Sequence, residues 1–131
     1  MQWNEFDREV RELAKLIDYT PDMLIGIARG GVIPAVLLSK ALKVKDFNIL
    51  KMERVGEGRR ITSDVIDVAG KKILLVEDTL ETGRALKAGK EYLEERGAKV
   101  KTACLYTMPI SEIAPDFSLR EVPEVVQFPW Q

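Results

Sequence analysis

The sequence predicts an α/β protein, built on a mainly parallel sheet flanked by helices. Three observations predict it. Short apolar runs alternate with stretches of helical periodicity along most of the chain, the order that parallel sheets with right-handed crossovers produce. Ile73, Leu74, Leu75 and Val76 form a continuous apolar run, which fits a strand covered on both faces. Two glycine turns, Gly30-Gly31 and Gly83, each follow such a run and precede a helical pattern.

Taken in order, Trp3, Phe6, Val10, Leu13 and Ile17 recur at helical spacing and predict an amphipathic first helix, with Asn4 as its cap. Pro21-Asp22 breaks it. Residues 23–28 read as a strand, Arg29-Gly30-Gly31 as a turn, and residues 32–42 as a helix with Pro34 in its first turn. Residues 47–52 read as a strand. Residues 53–60 are polar, carry Gly56 and Gly58, show no periodicity and read as a mobile loop. A weak alternation over 61–68 ends at Ala69-Gly70. After the run from Ile73 to Val76, Glu77 and Asp78 open a loop, and a helix follows over 84–96 with Gly97 just past its end. Residues 99–107 read as a strand. Pro109, Pro115, Pro123 and Pro129 then punctuate two strand-like runs, near Phe117 and near Val126.

A chain of 131 residues suits one domain, 1–131, with a proper core. Its net charge of −1 gives no reason to expect nucleic acid or an anionic membrane as partner. No apolar segment approaches the roughly 20 residues that span a bilayer, and the opening Met1-Gln2-Trp3-Asn4-Glu5 is not a secretory signal. Cys104 is the single cysteine, so no intrachain disulfide forms; a cytoplasmic location is expected, with the thiol as buried filler. Histidine is absent, which leaves acid–base chemistry to carboxylates, Lys or Tyr.

The stretch from Glu77 to Gly83 carries the chemistry. A helix start after a small-residue loop offers unpaired N–H groups and a partial positive charge, so it seats an anion. Two carboxylates just before it suit sugar hydroxyls, directly or with a divalent cation nearby. One segment would thus grip a phosphate and a ribose together. A Leu-Leu-Val-Glu-Asp run also opens receiver domains, but there it lies on the first strand, and here some seventy residues precede it.

Strand, Glu77-Asp78, Thr79-Leu80-Glu81, Thr82-Gly83 and helix together resemble the 5-phosphoribosyl pyrophosphate (PRPP) loop of the type I phosphoribosyltransferases. The segment from Ile25 to Ala35 with its Ala28-Arg29-Gly30-Gly31 turn, the Trp3-containing helix and the ending from Pro115-Asp116-Phe117 through Val122-Pro123 to Phe128-Pro129-Trp130 are similar to the small xanthine-guanine and hypoxanthine-guanine members of the family. The resemblance implies a three-layer type I phosphoribosyltransferase fold with a small C-terminal hood. It implies Mg2+-dependent transfer of a phosphoribosyl group from PRPP to a purine-type base in nucleotide salvage. A PRPP- or nucleotide-binding regulatory module of the same fold is the alternative. It further implies a homodimer or higher homo-oligomer.

Residue by residue, the resemblance gives Glu77 and Asp78 the ribose hydroxyls, with Mg2+ held indirectly through ribose or water. It gives the Ala28-Arg29-Gly30-Gly31 turn the diphosphate, and Thr79, Leu80, Glu81, Thr82, Gly83 and Arg84 the 5-phosphate. Glu81 stands where 6-oxopurine enzymes carry an Asp that takes the N7 proton, and Arg54, Arg59 and Arg60 belong to the mobile lid. Met108, Val125 and Val126 fall at base-binding positions. The departures concentrate on the base side: Glu81 is one methylene longer than Asp, Met108 replaces a Lys that reads O6, and Val125 replaces a stacking aromatic. Ala85 replaces a phosphate-binding Thr, the lid lacks a Ser-Tyr pair, and Gln131 replaces an acidic residue whose part a terminal carboxylate would take.

Overall fold

The computed structural model describes residues 1–63 and 67–131; part of the weakly alternating stretch 61–68 therefore lies outside the described residues. The elements run α1 (Trp3–Leu16), β1 (Met23–Ile27), α2 (Val32–Leu42), β2 (Phe47–Leu50), β3 (Met52–Val55), β4 (Gly58–Ile61), β5 (Lys72–Leu80), α3 (Arg84–Glu95), β6 (Lys99–Thr107) and β7 (Phe117–Glu121). Strands β2-β1-β5-β6-β7 form a five-stranded sheet in that order, every neighbouring pair parallel.

The alternation of side chains along β5 explains the layers. Leu74 and Val76 face α1 and α2, where Phe6, Val10, Leu13, Ala35 and Leu38 close one core. Ile73 and Leu75 face the other way, onto Leu86 and Leu93 of α3 and onto Leu50. Gly89 permits that second contact, because a β-carbon there would stand 3.1 Å from Leu75 and 3.2 Å from Leu50. From β1 the chain crosses through α2 to β2 on one side, and from β5 through α3 to β6 on the other. The order of strand addition therefore reverses between β1 and β5, and a crevice opens at their carboxyl ends.

Four expectations are corrected. Residues 53–60 are not a structureless loop but the greater part of an antiparallel hairpin, with Glu53 opposite Arg60 and Arg54 opposite Arg59. Both faces of its tip meet water, so no apolar alternation marks it; the two-residue turn at Gly56, with φ of 61°, was the available signal. Strand β5 does not stop at Val76 but carries Glu77, Asp78, Thr79 and Leu80, because β6 extends far enough to pair Thr79 with Tyr106 and Leu80 with Thr107. Asn4 does not cap α1: the cap position is Gln2, and Asn4 Oδ1 accepts the neighbouring Glu5 N–H at 2.9 Å inside the first turn. The run near Val126 forms no strand; between Pro123 and Pro129 it turns Val126 and Phe128 onto the α1 core instead.

That tail is pinned by aromatic packing. Phe128 and Trp130 stack at 4.8 Å, and Trp130 meets Phe6 edge-on at 4.9 Å. Behind them the Tyr106 hydroxyl donates to Glu9 at 2.8 Å, and Arg120 pairs with the same carboxylate.

Candidate active site

The crevice between β1 and β5 is a cleft of about 340 Å³. Its floor is the end of β5 and the start of α3, from Glu77 to Leu86; Gly30 closes one side, Arg54 and Arg59 reach in from the hairpin, and Gln131 comes from the tail. Two glycine turns, an acidic pair and two arginines thus meet in one place.

The α3 start keeps donors free. The first backbone bond closed there runs from Lys87 N–H to Gly83 O at 2.9 Å, and Arg84 N–H leans on Thr82 Oγ1 at 3.3 Å. Among the described residues the N–H groups of Glu81, Thr82 and Gly83 have no partner. Gly83 turns the chain with a φ of 81°, which suits glycine. Thr79 is different: its hydroxyl oxygen is buried without a hydrogen-bond partner among the described residues.

The β1 turn is more selective than its sequence suggests. The Ala28–Arg29 peptide is cis. Ala28 N–H donates to Leu50 O at 3.0 Å and Gly31 N–H to Ile27 O at 2.8 Å, so of the four residues only Arg29 and Gly30 keep N–H groups without a partner among the described residues. Gly31 has no room for a side chain, because a β-carbon would run into Val76 O.

Electrostatics set the acidic pair apart. Glu77 is partly buried, and desolvation, followed by the charge of Asp78, pushes its pKa up to about 8, with Arg59 pulling the other way. Desolvation raises Asp78 as well, against hydrogen bonds from the Thr79 and Asp78 amides. Cys104 lies fully buried beneath them with its pKa pushed up to about 12, chiefly by desolvation, so it is an inert thiol at neutral pH.

Of the residues expected at the site, Glu77, Asp78, Thr79, Leu80, Glu81, Thr82, Gly83, Arg84, Gly30, Arg54 and Arg59 come together around the cleft. Arg60 does not line it; it pairs with Glu53 across the hairpin. Met108 lines a separate hollow of about 350 Å³ with Glu112, Ile113 and Glu121, Val125 is 50% exposed, and Val126 packs on the core. Glu112 was invisible to motif reading, since its ion pair with Arg84 at 3.0 Å spans residues far apart in sequence. Glu77 and Asp78 offer the hard oxygen donors that Mg2+ takes. No group of three or more Asp, Glu, Cys or His able to hold a metal occurs among the described residues, so such an ion would have to share its ligands with substrate oxygens or water. No helix among the described residues is long and apolar enough to cross a membrane.

Comparison with known proteins agrees with this geometry. A family profile described as "Phosphoribosyl transferase domain" matches residues 2–131. A xanthine-guanine phosphoribosyltransferase of Chromohalobacter salexigens is 31% identical over 136 residues, covering 99% of this chain and 82% of the relative. The crystal structure of a purine phosphoribosyltransferase from Pyrococcus horikoshii superposes with a TM-score of 0.91 at 34% identity, over 100% of this chain and 92% of that one. A xanthine-guanine-hypoxanthine phosphoribosyltransferase of Helicobacter pylori, at 22% identity and a TM-score of 0.87 over 98% and 90% of the two chains, shares the fold.

Proposed function

The chain belongs to the phosphoribosyltransferase family, and from that premise we propose that it transfers a 5-phosphoribosyl group from PRPP to a purine-type base, releasing pyrophosphate. The observation that carries the reading is the joining, in one cleft, of the Glu77-Asp78 pair, the open start of α3 and the Gly30 turn. PRPP carries a 5-phosphate, a ribose with two free hydroxyls and a diphosphate, and these three features call for three such sites.

In this reading the N–H groups of Glu81, Thr82 and Gly83, at the positive end of α3, hold the 5-phosphate. Glu77 and Asp78 accept hydrogen bonds from the ribose hydroxyls, and their charge favours the positive character that develops on the ring as the bond from C1 to pyrophosphate breaks. Arg29 and Gly30 present their N–H groups to the departing diphosphate. One ring nitrogen of the base forms the new bond to C1, and the proton the purine sheds, from N7, passes to the Glu81 carboxylate. Arg54 and Arg59 on the hairpin cover the cleft and limit water, which would hydrolyse PRPP. Glu77 and Asp78 would hold Mg2+ indirectly, through ribose or water, and the ion would supply neutralisation of the diphosphate charge.

PRPP and a nucleobase are its small-molecule partners, and the whole span 1–131 works as one phosphoribosyltransferase domain. A homodimer or higher homo-oligomer in the cytoplasm completes the proposal; the half-exposed Trp3 and Leu16 support association, which light scattering tests. The catalytic reading is tested by pyrophosphate release from PRPP and Mg2+ with a panel of bases. No release with any 6-oxopurine or with adenine would overturn it, and release with orotate alone would overturn the purine assignment.

A further inference from the structure

We propose that Glu112 is a positioning residue for phosphate binding: it aims the Arg84 guanidinium at the 5-phosphate seat. The inference rests on the transferase reading and adds a role that neither motif reading nor the family supplies for this residue. Arg84 is the first residue of α3 and lines the cleft, and its Nη2 lies 3.0 Å from Glu112 Oε1. Glu112 belongs to the segment 108–116 that joins β6 to β7, and this segment braces the end of β5 and the loop behind it. Met108 N–H donates to Leu80 O at 2.9 Å, and Glu112 N–H donates to Thr82 O at 2.8 Å. The brace leaves no slack: a β-carbon on Gly83 would meet Ile113 Cγ2 and approach Ser111 Oγ to 3.0 Å.

The other arginines near the cleft stand on the hairpin rather than on the helix start, Arg54 lining the cleft from there. Arg59 Nη1 folds back onto Glu57 O and Gly58 O, and Arg60 is held by Glu53. Arg84 alone stands on the helix start, and Ala85 after it brings no hydroxyl to the phosphate. The single contact to Glu112 uses one of the five guanidinium N–H groups and leaves the others for an anion. A flexible side chain held ready loses less freedom when the phosphate arrives, so affinity rises without any contact between Glu112 and substrate. Because the pair is partly exposed, the effect is modest, about threefold, the scale of exposed ion pairs.

The test measures PRPP binding by calorimetry with Mg2+, alongside steady-state kinetics, for wild type, Glu112→Gln, Glu112→Asp, Arg84→Met and the Glu112→Gln/Arg84→Met double variant. Expected are an approximately threefold rise in PRPP Kd and KM for Glu112→Gln, unchanged kcat and nucleobase KM, recovery in Glu112→Asp, and no further loss in the double variant. Equal PRPP affinity of Glu112→Gln and wild type overturns the proposal. So does full additivity with Arg84→Met, or an equal rise in both KM values, the mark of a looser fold. A wild-type protein that binds no PRPP overturns the transferase reading and this inference with it; the other failures leave that reading standing.

Discussion

The Asp78 carboxylate lies directly over Gly30, so close that a β-carbon at position 30 would collide with it. Two segments nearly fifty residues apart, the proposed ribose and diphosphate sides of the cleft, are thus locked together. Gly30→Ala must displace Asp78. It should weaken PRPP binding on the order of 10- to 100-fold, since misplacement of about 1 Å has effects of that scale. Calorimetry with Mg2+ checks it, and near-wild-type affinity would mean that Asp78 does not hold the ribose.

Glu77 predicts a pH dependence. Its folded-state pKa of about 8 lies above the usual 4.5, so the folded protein binds this proton more tightly than the unfolded chain does. The associated stability is full below about pH 4.5 and is lost as pH rises through about 8. Thermal melting of the ligand-free protein should show Tm falling across that window, and Glu77→Gln should flatten the fall. A wild-type Tm that rises steadily with pH over the same window would contradict the assignment.

A companion expectation concerns ligand binding. If the ribose hydroxyls and Mg2+ favour the ionised pair, binding PRPP near pH 7 drives a proton off Glu77. Calorimetry in two buffers of different ionisation enthalpy should report about one proton released, and Glu77→Gln should abolish the release. Identical heats in both buffers would rule the coupling out.

Glu81 is exposed at the mouth of the cleft, beyond the strand that fixes Glu77 and Asp78. As the group proposed to take the base proton, it should be needed for turnover and not for PRPP. Glu81→Gln should lower kcat by about 100-fold or more, the scale of general base catalysis, with PRPP affinity nearly unchanged. Wild-type turnover in that variant would assign the proton to another group.

Phe6 is fully buried and meets both Phe128 and Trp130, the residue that precedes Gln131 in the cleft wall. Phe6→Ala should destabilise the protein by about 3–5 kcal/mol, measured by denaturant unfolding. It should also shift the tryptophan emission, because Trp130 loses its edge-on partner. A loss below about 1 kcal/mol would show that the tail packs independently of α1.

Wherever one local pattern carried the information, the sequence was enough. The helical spacing of Phe6, Val10 and Leu13 located α1, the unbroken apolar run at Ile73 located the central strand, and the order Glu77-Asp78 to Thr82-Gly83 located the strand-to-helix segment that lines the cleft. These are short-range signals, written in neighbouring residues by helix and strand periodicity and by what a helix start can bind. Only the tertiary structure decided the rest. It set the length of β5 through its partner β6, and it withdrew the amides of Ala28 and Gly31 by bonding them within the fold. It turned a polar stretch into a hairpin, set Met108 and Val125 apart from the cleft, and brought Glu112 to Arg84. Each of these depends on partners distant in sequence, whose pairing is settled by packing and by the need of buried polar groups for hydrogen bonds, and no local window contains both halves of such a pair.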